Sequence, residues 1–165
     1  MTDSATFIHA MGAAVTGVTV VTTDLGGSPI GRTVSAMCSV SADPALLLVS
    51  VRSDSPLLAA IVARAEFGVN VLSARQAAIA DAFAGRGEHR YSFAARDWRP
   101  LAAGAVPLLH GAAARFACRV ETTHEAGTHT LVLGAVTRAE RGSATPLAYT
   151  HRGYVAPLAP ERIAA

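Results

Sequence analysis

The sequence predicts a mainly β protein, an antiparallel barrel with a few short helices covering its openings. Three observations carry this. Roughly six β-branched or apolar runs are punctuated by Gly, Pro, Asp and Ser in turn-forming combinations. Helical spacing is confined to two or three short stretches, and no Gly-x-Gly-x-x-Gly follows a strand, which argues against a doubly wound dinucleotide fold.

The elements follow in order. Asp3 and Ser4 can cap a helix through Thr6–Ala14, with Phe7, Ile8 and Met11 spaced to face a core. From Thr16 the chain turns β-branched, and Asp24-Leu25-Gly26-Gly27-Ser28 supplies a hairpin turn. Pro29–Ser41 continues as strand and loop, and Asp43-Pro44 ends it. Ala45–Arg52 is apolar enough for a strand buried on both faces at the centre of the sheet. Ser53 or Asp54 caps a helix over Pro56–Arg64, whose first-turn Pro loses nothing by lacking an N–H.

Glu66–Leu72 returns to strand, and Ser73–Ala84 forms an Ala-rich helix that presents Ile79 and Phe83 on one face and stops at Gly85-Arg86-Gly87. After Trp98 and the segment between Pro100 and Pro107, Ala112–Thr123 and Thr130–Arg141 make long strands around a Glu125-Ala126-Gly127-Thr128 turn. A short strand near Pro146–Tyr149 precedes an irregular tail. With 165 residues and no linker or repeat, a single domain over 1–165 is expected.

Composition narrows the function. Hydrophobic residues make up 51% and charged residues 16%, against ~25% charged in an ordinary domain, which points to a homo-oligomer. Net charge is +2 with no basic block, so neither nucleic acid nor an anionic membrane is expected as a partner. All 14 basic residues are Arg. Without Lys there is no Schiff base, pyridoxal anchor or P-loop lysine. Cys38 and Cys118 lack zinc or redox spacing and read as buried thiols, and the absence of an apolar span or leader pattern predicts a cytosolic protein.

Several residues can carry chemistry. Hydroxyls recur at Thr33, Ser35, Ser39 and Ser41 among small residues, so one face of an extended chain offers O–H groups and closely approachable backbone, either as an edge strand or as a wall for a polar ligand. Ser53 and Ser55 precede a helix and serve as caps or as part of an anion site. His124 and His129 flank a turn and can face each other, but no third metal ligand is placed by spacing. His129 is then a solvated turn residue or a donor to a substrate. Asn70, the sole Asn, lies in an apolar run and is expected to brace a loop, a ligand contact being the alternative. Arg86 and Arg90 are solvated loop residues or phosphate ligands. There is no Gly-x-Ser-x-Gly, and Cys38 has no neighbouring base.

As a set, Gly31-x-Thr33-x-Ser35-Ala36-x-x-Ser39-Val40-Ser41-x-x-Pro44, Ser53-x-Ser55, Phe67-x-Val69-Asn70-x-Leu72, Gln76 and Phe83-Ala84-Gly85 resemble the short-chain flavin reductases of the FMN-binding split-barrel fold. Pro107-x-Leu109-x-Gly111, Cys118, Gly127-x-His129-x-Leu131-x-x-Gly134 and Pro146-Leu147-x-Tyr149 continue the resemblance in the same order. It covers nearly the whole chain. The resemblance implies a homodimeric NAD(P)H:flavin oxidoreductase that takes FMN or FAD, uses NADH with NADPH open, and supplies free reduced flavin to a separate oxygenase component.

By matching position, Thr33, Ser35, Ala36, Ser39, Val40 and Ser41 line the flavin, with Ser53 and Ser55 near its phosphate and Phe83 and Arg90 beside it. His129 matches the histidine of a Gly-Asp-His motif near the nicotinamide, and Tyr154 is a second contact there. Here Thr128 stands at the Asp position. That departure keeps two other readings open, a flavin carrier or sensor without turnover and a split-barrel flavoenzyme acting directly on an organic substrate.

Overall fold

The structure is a computed structural model that describes residues 2–93, 97–100 and 105–157. Seven strands form the main sheet: β2 (Thr19–Leu25), β3 (Ser28–Val34), β4 (Met37–Ala42), β5 (Ala45–Arg52), β6 (Glu66–Val71), β9 (Ala114–Ala126) and β10 (His129–Arg141). Their spatial order is β3-β2-β6-β9-β10-β5-β4, with every pairing antiparallel. The edges β3 and β4 are joined through Ser35 and Ala36, and β3 also touches β5, so the sheet rolls into the expected barrel. Two small sheets flank it, β1 (Thr16–Gly17) with β11 (Ala148–Thr150) and β12 (Gly153–Val155), and β7 (Trp98–Pro100) with β8 (Pro107–Leu109). Helices α1 (Ser4–Met11), α2 (Pro56–Arg64) and α3 (Ala77–Phe83) complete the described elements.

The barrel is filled by Val21, Val49, Val51, Phe67, Val69 and Val132, against which α2 lays Leu57, Leu58 and Ile61. Every second residue of β5 points inward, which is how a period of two buries one face. At the first hairpin Gly26 (φ +61°) and Gly27 (φ +84°) take the left-handed conformations that a two-residue turn between right-twisted strands requires, and Asp24 Oδ1 accepts the Gly27 N–H at 3.0 Å. A second cluster, including Val18, Val20, Leu72, Phe83 and Leu109, packs under α3.

Asn70 braces the core, as its setting predicts. Its Nδ2 donates to the Val20 carbonyl at 2.9 Å, and its Oδ1 accepts the Leu109 N–H at 2.7 Å, so one buried amide ties β2 to the β8 segment. Asn70→Leu strands both backbone groups in the core. It is expected to cost about 2–4 kcal/mol, read as a lower urea midpoint with unchanged slope.

Several expectations are corrected. Helix α1 is capped by Asp3, but Phe7, Ile8 and Met11 are 56%, 55% and 50% exposed, because no element among the described residues covers that face. β5 buries only its Leu47, Val49 and Val51 face and lies next to the edge, since β4 pairs only with β5 and β9 occupies the middle. Ser55, and neither Ser53 nor Asp54, caps α2, its Oγ accepting the Leu57 N–H at 3.2 Å.

Helix α3, expected from Ser73, begins at Ala77, because Ser73 pairs with Pro146 as a β-bridge. The turn between β9 and β10 is the shorter Gly127-Thr128, so His129 opposes Ala126 while His124 opposes Leu131. Cys38 is exposed on β4, whereas Cys118 is buried and burial pushes its thiol pKa up to about 12. The strands β7, β8 and β12 are too short for a periodic signal. The tail expected to be irregular after Tyr149 instead continues β11 to Thr150 and returns as β12, paired antiparallel with it, and only its part beyond residue 157 lies outside the described residues.

Candidate functional site

A cleft of about 850 Å³ opens where β3, the Ser35–Ala36 link, β5 and the start of β10 meet. One wall comes from Arg32, Thr33, Ser35 and Ala36 with Phe83, Ala84 and Tyr91, the other from Ser50, Arg52, Asp54, Ser55, Pro56 and His129. Ser35 and Ala36 are exposed and small, so the backbone there is open to a ligand. The Thr33 hydroxyl donates to the Ala80 carbonyl at 2.6 Å, which fixes β3 to α3 and spends that donor inside the protein. Phe83 is buried and packs edge-on to Phe93 and Trp98, with centroids at 4.9 and 5.1 Å.

His129 opens β10, opposite Arg52 of β5. Thr128 Oγ1 lies 2.9 Å from His129 Nδ1, so the hydroxyl orients the ring and leaves Nε2 as its other polar edge. Nearby, Arg52 Nε and Nη2 donate to Asp54 at 2.9 and 2.6 Å. The Arg52 guanidinium holds the Asp54 carboxyl below the usual carboxylate range, with a smaller pull from His129. The first turn of α2 is satisfied internally: Pro56 has no N–H, and the N–H groups of Leu57, Leu58 and Ala59 all go to Ser55.

The other predicted residues sit elsewhere. Ser39 and Ser41 lie on the edge strand β4, where a bulge leaves Val40 outside the ladder and 51% exposed. Ser53 turns to β10, its Oγ 3.0 Å from Thr130 Oγ1 and its N–H on the Thr128 carbonyl. Arg90 is exposed in the turn after α3, and Arg86 pairs with Asp81 at 3.1 Å. Tyr154 donates to the same Asp81 at 3.0 Å and stands outside the cleft wall.

Burial, then the Asp81 carboxylate, push the Tyr154 phenol pKa up to about 12. Because the unfolded phenol ionises near pH 10 while the folded one keeps its proton, the folded state binds more protons across that window. Stability contributed by Tyr154 is therefore complete below about pH 10 and lost as pH rises toward 12. Tyr154→Phe is expected to lower the melting temperature at neutral pH and to flatten the alkaline limb of the profile, so that variant and wild type converge as pH rises above about 10.

Sequence reasoning missed Arg32, Tyr91, Arg52 and Asp54. Arg52-Ser53-Asp54-Ser55 does carry a local signal, since Arg and Asp two apart at a strand end can pair. The Arg32–Tyr91 contact spans two distant segments and leaves none.

Fold and cleft together define a small antiparallel barrel with a nucleotide-sized cleft at its seam. Residues 11–157 match the model of the flavin reductase like domain, and the chain belongs to that family. It is 45% identical over 163 residues to the flavin reductase (NADH) of Kitasatospora aureofaciens, covering 93% of this chain and 82% of that one. The FMN reductase (NADH) SmoA of Agrobacterium fabrum is 39% identical, with 90% and 83% covered. Among solved structures, BorF, the flavin reductase component of a bacterial two-component tryptophan halogenase, superposes with a TM-score of 0.86 at 34% identity, covering 97% of this chain and 100% of that one. The fold, enzyme class and flavin chemistry expected from sequence agree with these relatives.

Proposed function

We propose that this protein is an NADH:flavin oxidoreductase that binds FMN or FAD as a substrate and releases it reduced to a separate oxygenase component. The observation that carries this is the cleft of about 850 Å³, lined both by the exposed small residues Ser35 and Ala36 and by an oriented imidazole, His129. The two ligands supply the chemistry, hydride passing from the nicotinamide to the flavin ring when they stack. The chain's part is to hold them in register and exclude water. His129, steadied by Thr128, offers a hydrogen bond to the nicotinamide side. Backbone at Ser35–Ala36 and along the bulged Ser39–Ser41 segment offers close approach to the flavin edge.

A homodimer completes this reading. Phe7, Ile8, Met11 and Val15 form an uncovered apolar stretch, and Val40 adds another exposed side chain on the edge strand. A second copy seated there would cover them and bring Ser39, Val40 and Ser41 toward a shared flavin. Light scattering that reports a monomer at micromolar concentration contradicts this part. The activity is tested by following NADH absorbance while flavin is raised from trace to excess. Turnover that saturates with flavin is expected. Flavin binding without NADH consumption favours the carrier reading, for which Thr128 at the Asp position is the reason to look.

A further inference from the structure

We propose that Arg32, stacked on the Tyr91 ring, is an anion subsite of the cleft that takes a phosphate group of a bound nucleotide. The inference rests on the reading that the cleft holds flavin and NADH, both of which carry phosphate in their nucleotide forms, and it assigns the residue that pairs with that charge.

Charge accounting inside the cleft leads to Arg32. Two guanidiniums line it, Arg32 and Arg52. Arg52 is committed to Asp54 through two hydrogen bonds at 2.9 and 2.6 Å. Arg32 is partly buried, spends Nη1 on its neighbour's Gly31 carbonyl at 2.7 Å, and among the described residues meets no carboxylate. The start of α2 cannot take its place, because the first-turn N–H groups are all consumed by Ser55. A polyanionic ligand entering this cleft therefore finds its free positive donors on Arg32.

Arg32 is also held ready. Its guanidinium carbon lies 3.9 Å from the centroid of Tyr91, and a stacked guanidinium keeps its in-plane N–H fork available. Tyr91 is itself fixed by its N–H on the Ala82 carbonyl at 3.0 Å, and its hydroxyl fills the space over Gly85, where a Cβ would collide with it. Its φ of +60° is an uncommon conformation for a bulky residue, which persists only where surrounding contacts enforce it. The ring is a platform that places the cation at the cleft wall.

Phosphate could come from FMN or from the dinucleotide, and one experiment separates the two. Arg32→Met is made in the full chain, and affinities for FMN and for phosphate-free riboflavin are read by flavin fluorescence, together with KM for NADH. If the flavin phosphate is the ligand, FMN binding weakens about 10- to 100-fold while riboflavin binding stays within about twofold. If the dinucleotide is, KM for NADH rises by a similar factor and both flavin affinities hold. Arg32→Lys, which keeps the charge without the planar fork, should recover part of either loss, and Tyr91→Leu should give an intermediate one.

Equal changes for FMN and riboflavin with NADH unaffected, or no change at all, overturn the subsite and leave Arg32 as a brace for the Tyr91 loop. Wild-type protein that neither binds FMN nor oxidises NADH overturns the reading beneath it, which the Arg32 variants alone do not address.

Discussion

Alanine at position 129 is expected to lower kcat/KM for NADH about 10- to 100-fold while flavin affinity changes by less than about twofold. The asymmetry follows from position. His129 stands at the β10 end of the cleft, away from the Ser35–Ala36 wall, and its imidazole is the oriented ring donor or acceptor among the described lining residues. A hydrogen bond that strengthens as charge develops lowers the barrier and leaves flavin binding unchanged.

Thr128 Oγ1 lies 2.9 Å from His129 Nδ1, so on the proposed role of His129 it is a positioning residue: Thr128→Val should give a smaller loss in the same parameter and Thr128→Ser should restore it. Both are read from steady-state NADH kinetics at saturating flavin. Unchanged NADH kinetics in the His129 variant would remove it from the site.

The second large effect is steric. Ala36 lies on the link between the barrel's two edge strands, exposed to the cleft, with its carbonyl held by the Ser50 N–H at 3.0 Å. That hydrogen bond fixes the backbone, so a large side chain at 36 has to project into the space a ring would occupy. Ala36→Phe is expected to weaken flavin binding at least about 100-fold, because filling a preformed pocket costs the ligand most of its contacts. The melting temperature should stay within a few degrees of wild type, since position 36 is already exposed. Normal flavin affinity in this variant would move the flavin off this wall.

Local rules made much of the fold legible. The Gly26-Gly27 turn, the β5 span and the bounds of α2 follow from turn chemistry, strand period and a Pro at the first helical position, which act within a few residues. Where tertiary contacts decide, sequence falls short. The spacing of Phe7, Ile8 and Met11 is helical and amphipathic, yet it cannot tell whether the covering surface belongs to the same chain. Cys38 departs from the general burial habit of Cys because it lies on an edge strand.

The site was half legible for similar reasons. Thr33, Ser35, Ala36, Ser55, Phe83 and His129 share one cleft, and their motifs were visible as a set. Arg32 and Tyr91 meet only because β3 and the loop after α3 converge, and no spacing rule links residues so far apart in sequence.

The most direct test of the whole account is anaerobic. Purified protein is mixed with excess NADH and an excess of FMN over protein, then passed through an ultrafilter that retains the protein, and the filtrate spectrum is recorded without oxygen. Reduced flavin in the filtrate at many equivalents per protein is the predicted result, because the flavin is a product that must leave. Flavin reduced only once and retained with the protein, or flavin that stays oxidised, would contradict it.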